Sequence, residues 1–157
     1  GTENKDITLN IDFAPLFLDY AGVGKPGQMQ GESFRSNLEG KTPGNWRQAM
    51  YYRYWMNADN DHNVTANYGI RTDRYKLVFY YGESLGMTGT KNVSITPEWE
   101  LFDLENDPME MKNIYNDPAN KALIKELKTK LLELKRQYDD EDSKYPVMTE
   151  IAKKYYW

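Results

Sequence analysis

Phe13, Leu16, Phe17 and Tyr20 recur at helical spacing behind Asp12. The pattern predicts a helix over 12–21, with Asp12 as its cap, Pro15 tolerated in the first turn and Gly22 as its stop. Gly24, Pro26 and Gly27 make 22–31 a loop. Ser33–Leu38 has room for one or two further helical turns. From Ala49 the apolar pattern turns aromatic and β-branched. Ala49–Met56, Tyr68–Thr72, Tyr75–Tyr81 and Trp99–Leu104 predict strands, the second and third joined as a hairpin through Asp73-Arg74. Helical spacing returns behind Asp117-Pro118, where Leu123, Leu127, Leu131, Leu134 and Tyr138 share a face and Lys and Glu fill the other. This predicts a helix over 118–138, ended by the acidic run Asp139–Asp142. Val147–Trp157 predicts a short apolar-aromatic helix.

A sheet with one apolar face and a helix with one apolar stripe cover each other. The expected fold class is therefore α+β: a four-stranded antiparallel sheet packed against a long C-terminal amphipathic helix. The chain of 157 residues is long enough for one ordinary core.

Composition narrows the function classes. The net charge is −4 with acids and bases interspersed, which argues against a nucleic-acid surface. No run approaches the roughly 20 apolar residues of a membrane-spanning helix. The chain has no cysteine, so neither a disulfide, a thiolate nucleophile nor a zinc–thiolate site can form within it. The 13 tyrosines suit half-exposed strand faces and also sugar-binding surfaces.

Candidate chemistry is sparse. His62 is the only histidine, so it can donate or accept a hydrogen bond but cannot build a zinc site with others of its kind. Asp103–Asp107 resembles the start of a calcium loop but fails the pattern. Pro108 stands where glycine is needed and Ile114 where glutamate is needed. Asn63-Val64-Thr65 and Asn92-Val93-Ser94 match the three-residue glycosylation pattern. Glu98 and Glu100 share one side of a strand, as an exposed face would. Arg53 lies among Tyr51, Tyr52, Tyr54 and Trp55, so it is either a stacked structural cation or a bidentate grip for a sulfate or carboxylate.

Several segments, in order, resemble the C-terminal part of arylsulfatase-type, formylglycine-dependent sulfatases. They are Asn10–Val23, Gln30–Phe34, Trp46–Tyr54, His62–Tyr81 and Trp99–Glu110, followed by Asn113-Ile114-Tyr115. The resemblance implies that residues 1–45 are the end of a large catalytic α/β domain with its connector, and that 46–157 are the C-terminal sulfatase subdomain. The helix near 12–21 would then belong to that large domain, leaving its apolar side chains exposed or shared with a second copy of the fragment.

The family's nucleophile lies in a Cys/Ser-x-Pro-x-Arg motif upstream, and none occurs here. Formylglycine and calcium are therefore expected in an N-terminal catalytic domain, with no cofactor in this chain and no catalytic residue. The loop between the first two strands approaches the substrate in the family. Here that loop holds Trp55, Asn57, Asp61, His62 and Asn67; the substrate-binding candidates are His62, Asn67 and Trp55, which the resemblance implies, and Arg53, from its own chemistry. Relatives carry histidine at both the His62 and Asn67 positions. Asparagine keeps the hydrogen bonds but cannot be charged. The expected partners are the N-terminal domain and a sulfated carbohydrate, in a periplasmic or secreted setting. The alternatives are a free-standing carbohydrate-binding module and a related alkaline-phosphatase-superfamily hydrolase of phosphate or phosphonate esters.

Overall fold

The computed structural model describes residues 1–157 and divides into two units, Gly1–Ala49 and Met50–Trp157. In the first unit, a 3-10 turn over Asn10–Asp12 leads into helix α1, Phe13–Tyr20, and a short helix α2 follows at Arg35–Leu38. Gly22, at φ +67°, turns the chain out of α1 as glycine can.

Asp12 does not cap α1 with its side chain. It is fully buried and gathers three separate segments. Its carboxylate accepts from the Leu9 amide at 2.7 Å and the Glu32 amide at 2.9 Å, and it pairs with both terminal nitrogens of Arg47. Burial raises the pKa of this carboxyl, but the bonds from Arg47 and the two amides outweigh it and leave the pKa below the ordinary value. A cap serves one helix end, whereas this residue ties together strands of chain 35 positions apart. Gly31 permits the crossing, since a Cβ there would lie 2.0 Å from the Ile11 carbonyl oxygen. Leu16, Phe34 and Trp46 form a small core, and the Trp46 indole donates to the Ile7 carbonyl at 3.0 Å.

Phe13, Phe17 and Tyr20 of α1 remain 50%, 65% and 56% exposed. The exposure expected for this helix holds for these side chains but not for Leu16, which is buried against Phe34 and Trp46, nor fully for Leu18, which is half-buried.

The second unit is built on four strands: β1 Ala49–Tyr54, β2 Asn67–Thr72, β3 Tyr75–Tyr80 and β4 Glu98–Asp103. They form one antiparallel sheet in the order β1-β2-β3-β4. Tyr68 faces Phe79, which faces Trp99, and Ile70 faces Leu77, which faces Leu101. These six are the apolar rows of one face, all 6% exposed or less. On β2, Gly69 leaves room for the Tyr52 ring, whose hydroxyl would meet an added Cβ at 2.7 Å. The free edge of β4 is covered by Asn113-Ile114. The Asn113 side chain accepts from the Leu101 amide, and the Ile114 amide donates to the Leu101 carbonyl at 2.9 Å.

Asp117 accepts from the Ala119 amide at 2.9 Å and starts a 3-10 turn, Pro118–Asn120, that runs into helix α3, Lys121–Gln137. Leu127 and Leu131 are buried and face the sheet, as their spacing predicts. The expectation that lysine fills only the outer face fails at two positions. Lys128 and Lys135 are each 1% exposed. Helix α4, Pro146–Tyr155, closes the unit, with Met148 fully buried and Tyr156 just beyond it.

Candidate functional site

The loop between β1 and β2 is held from inside by two buried polar residues. Asn57 donates to the Val93 and Gly82 carbonyls at 2.7 and 3.3 Å and accepts from the Ala66 amide at 3.1 Å. The Ala58 amide donates to the Val64 carbonyl at 2.8 Å, closing the loop on itself. Asp59 accepts from the Tyr54 hydroxyl at 2.6 Å and from the Asp61 and His62 amides at 2.8 and 2.9 Å. Together, the Tyr54 hydroxyl and the two amides hold the Asp59 carboxyl well below the ordinary carboxylate range. It is an anion built into the loop.

That anion orients His62. The imidazole Nδ1 lies 3.3 Å from Asp59 Oδ1, while the side chain is 65% exposed. With Nδ1 turned to the carboxylate, the Nε2 edge is the one presented outward. Asn67, at the start of β2, is 7% exposed. Its amide nitrogen donates to the Thr65 carbonyl at 2.8 Å, which leaves its oxygen as an acceptor.

Arg53 and Trp55 form a second group. The guanidinium lies 3.7 Å from the centre of the Trp55 ring and 5.0 Å from the Tyr81 and Tyr145 rings. Trp55 and Tyr145 meet edge-to-face at 5.7 Å. Nη1 donates to Asp140 at 2.7 Å, and the Tyr51 hydroxyl donates to the other oxygen of the same carboxylate. Burial alone would lower the arginine's pKa, but the Tyr81 hydroxyl and the Asp140 carboxylate reverse this and raise it. Nε and Nη2 are buried without a partner. The structure thus brings Arg53 to Trp55 and, separately, ties His62 to Asp59. No hydrogen bond or ion pair links the two groups.

Asp59 was not singled out in the sequence. The Asp59-Asn60-Asp61-His62 run carries the signal that could have found Asp59, since aspartate often accepts from amides two and three residues on. Asp140 had no local signal, because it meets Arg53 from 87 residues away. Nothing in this arrangement is a nucleophile with its base, and no group of three His, Cys, Asp or Glu could hold a metal ion. The site can present hydrogen-bonding edges and an aromatic ring to a ligand.

Residues 1–137 match the family described as N-sulphoglucosamine sulphohydrolase, C-terminal. The chain belongs to this sulfatase C-terminal family. An N-acetylglucosamine-6-O-sulfatase from Bacteroides thetaiotaomicron is 40% identical over 144 residues, which is 90% of this chain and 24% of that protein. A solved sulfatase structure in complex with its substrate, D-glucosamine-2-N,6-O-disulfate, superposes with a TM-score of 0.76 at 39% identity, over 88% of this chain and 26% of the other. The phosphonate monoester hydrolase of Agrobacterium radiobacter superposes with a TM-score of 0.59 at 25% identity, over 81% and 24%. The chain therefore spans about a quarter of the length of these relatives. The α+β subdomain expected from the resemblance is the fold observed.

Proposed function

We propose that this chain is the C-terminal part of a sulfatase that hydrolyses sulfate esters of sulfated carbohydrates, and that it shapes the substrate pocket. The observation that carries this reading is the 40% identity, over 90% of the chain, with an N-acetylglucosamine-6-O-sulfatase. An amino-sugar sulfate is the substrate class this favours. The nucleophile would be a formylglycine, with calcium beside it, both in an N-terminal catalytic domain. The present residues do not fit such a centre, having no metal-binding cluster and no Cys/Ser-x-Pro-x-Arg motif. A periplasmic or secreted setting follows from the same reading.

In this proposal His62, held by Asp59, offers its outer ring nitrogen to the sugar. Asn67, 7% exposed, offers its unused amide oxygen, and Trp55 offers its ring. Arg53, only 3% exposed, stands behind Trp55 and acts on the ligand through that ring. Changing His62 or Asn67 to alanine in the full-length enzyme removes a neutral hydrogen bond worth about 0.5–1.5 kcal/mol, or about 2- to 12-fold in rate. The loss is expected in kcat/KM on a sulfated amino sugar, with turnover of a small aryl sulfate little changed. Equal losses on both substrates would sink the substrate-side role. The likeness to a phosphonate monoester hydrolase supports a second reading, in which the parent acts on phosphonate or phosphate esters. Faster turnover of an aryl phosphonate than of any sulfate ester would favour it.

The exposed Phe13, Phe17 and Tyr20 side of α1 is the part of this chain suited to the N-terminal domain. A fragment lacking that domain would cover the same side with a second copy. Sedimentation of the isolated chain should then show a concentration-dependent dimer that Phe17→Ser abolishes. A strict monomer at all concentrations would contradict this.

A further inference from the structure

An open cleft of about 410 Å³ lies at the β4 edge of the sheet, at the opposite edge from β1. Its walls include Tyr115, Asn116 and Asp117 ahead of α3, then Lys121, Lys125 and Lys128 on the helix, and Trp157. Lysines spaced four and then three residues apart lie on one helix face. Lys121 and Lys125 are exposed, and neither forms an ion pair within the chain. Trp157 is 71% exposed.

The floor is unusual. The Lys128 ammonium lies 4.1 Å from the Trp99 ring centre, 5.2 and 5.3 Å from those of Tyr115 and Tyr156, and 5.7 Å from that of Trp157. It donates to the Tyr115 hydroxyl at 2.8 Å and to the Tyr156 carbonyl. No carboxylate reaches it, although buried charges are ordinarily paired. Its sister Lys135, equally buried, has Asp142 at 2.7 Å. A buried cation that lacks a counter-ion leaves an uncompensated positive field beneath the cleft it floors, and that field favours an anion on the rim above it. Two further free lysines extend it along the wall.

We propose that this cleft is a second binding site, for a sulfated oligosaccharide. The rim selects a sugar over a purely anionic ligand. The flat Trp157 indole and the Tyr115 ring suit the apolar face of a pyranose. Asp117 uses one carboxylate oxygen on the Ala119 amide, and its other oxygen can accept from a sugar hydroxyl, a donor that an acidic peptide side chain lacks. Sulfates would sit on Lys121 and Lys125, which bind them as point charges. Such a site would hold a long sulfated chain by a segment other than the one at the β1–β2 loop. The inference does not depend on the hydrolase reading, because its ligand is bound and not cleaved.

Hydrogen–deuterium exchange on the full-length protein with a heparin-derived hexasaccharide tests it. Amides over 115–125 should be protected, and that protection should be lost in the double variant Lys121→Ser, Lys125→Ser and in Trp157→Ala. Protection over 55–67 should remain in both. The double variant should bind the hexasaccharide about tenfold more weakly at this site, as expected for two exposed charge contacts. All three positions are exposed, so the variants keep the fold. Turnover of a sulfated monosaccharide should not change, which separates failure here from failure of the proposed function. The proposal is overturned if 115–125 gains no protection, if protection survives both variants, or if a desulfated hexasaccharide or a polyglutamate peptide protects equally.

Discussion

Lys128 and Lys135 lie two turns apart on α3, each 1% exposed, yet their surroundings differ in one decisive respect. Lys135 rests 3.3 Å from the centre of the Tyr68 ring and bonds to Asp142, which also accepts from the Tyr68 hydroxyl at 2.7 Å. Beside it, Asp140 joins Tyr51 and Arg53. The turn after α3 thus carries two carboxylates that close over two buried cations and lock the helix to β1 and β2. Lys128 also has aromatic surroundings, the rings of Trp99, Tyr115, Tyr156 and Trp157, but no carboxylate. One end of the helix is a completed ionic network, and the other is a cation boxed by rings beneath a cleft, with no counter-ion of its own. Burial of a charge is therefore not diagnostic by itself. Whether the counter-ion is internal decides between a structural and a binding role.

The largest expected break in this comparison is in stability. Lys135→Ala leaves Asp142 without its cation and should cost about 3–5 kcal/mol, as for other half-removed buried pairs. Lys128→Met strands no carboxylate and keeps the stem's packing, leaving only the Tyr156 carbonyl and the Tyr115 hydroxyl without their donor, so it should cost about 1–3 kcal/mol, less than Lys135→Ala. Urea unfolding of the two variants measures both. Equal losses would show that the open cation is as structural as the paired one.

A smaller effect sharpens the comparison through pH. Burial brings both lysines down to about 8. In the unfolded chain a lysine titrates near about 10.4. Between these values the unfolded state binds the extra proton, so stability contributed by these groups rises from about pH 8 to about pH 10. Above about pH 10 the sign reverses. Burial first, and then neighbouring carboxylates, raise the pKa values of Tyr51, Tyr68 and Tyr156 above the ordinary value, so unfolding releases their protons. Chemical denaturation across pH 7–11 should show this rise and fall. Lys128→Met should flatten the rise by about half, since one of the two lysines is gone. An unchanged rise would mean that Lys128 is not the desolvated group the structure describes.

Local pattern carried most of the architecture. The strand runs, the Asp117-Pro118 start of the long helix and the buried Leu127 and Leu131 needed only period and turn chemistry. The strand ends differ by one or two residues, as at Tyr54, where Trp55 leaves the ladder to stack on Arg53. The candidate site was less legible. His62, Asn67 and Trp55 rest on the resemblance and Arg53 on its aromatic neighbours in sequence, while Asp59, which holds the His62 imidazole, and Asp140, which holds Arg53, are set by the fold.

The sequence by itself determined the order and type of the elements, the absence of thiol chemistry and the family resemblance, because each rests on neighbouring residues or on motif order. The tertiary structure decided which charges are buried and what neutralises them. Asp12 reads as a helix cap and proves to be an internal hub with Arg47. The acidic run at 139–142 reads as a helix stop and supplies the counter-ions of Arg53 and Lys135. Lys128 reads as a solvated helix position and lies inside an aromatic box. Charge pairing acts through space over a few ångströms, and the partners here are up to 87 positions apart along the chain. No short window of sequence contains both Arg53 and Asp140, and even the seven-residue step from Lys135 to Asp142 shows no pairing until the turn after α3 folds back.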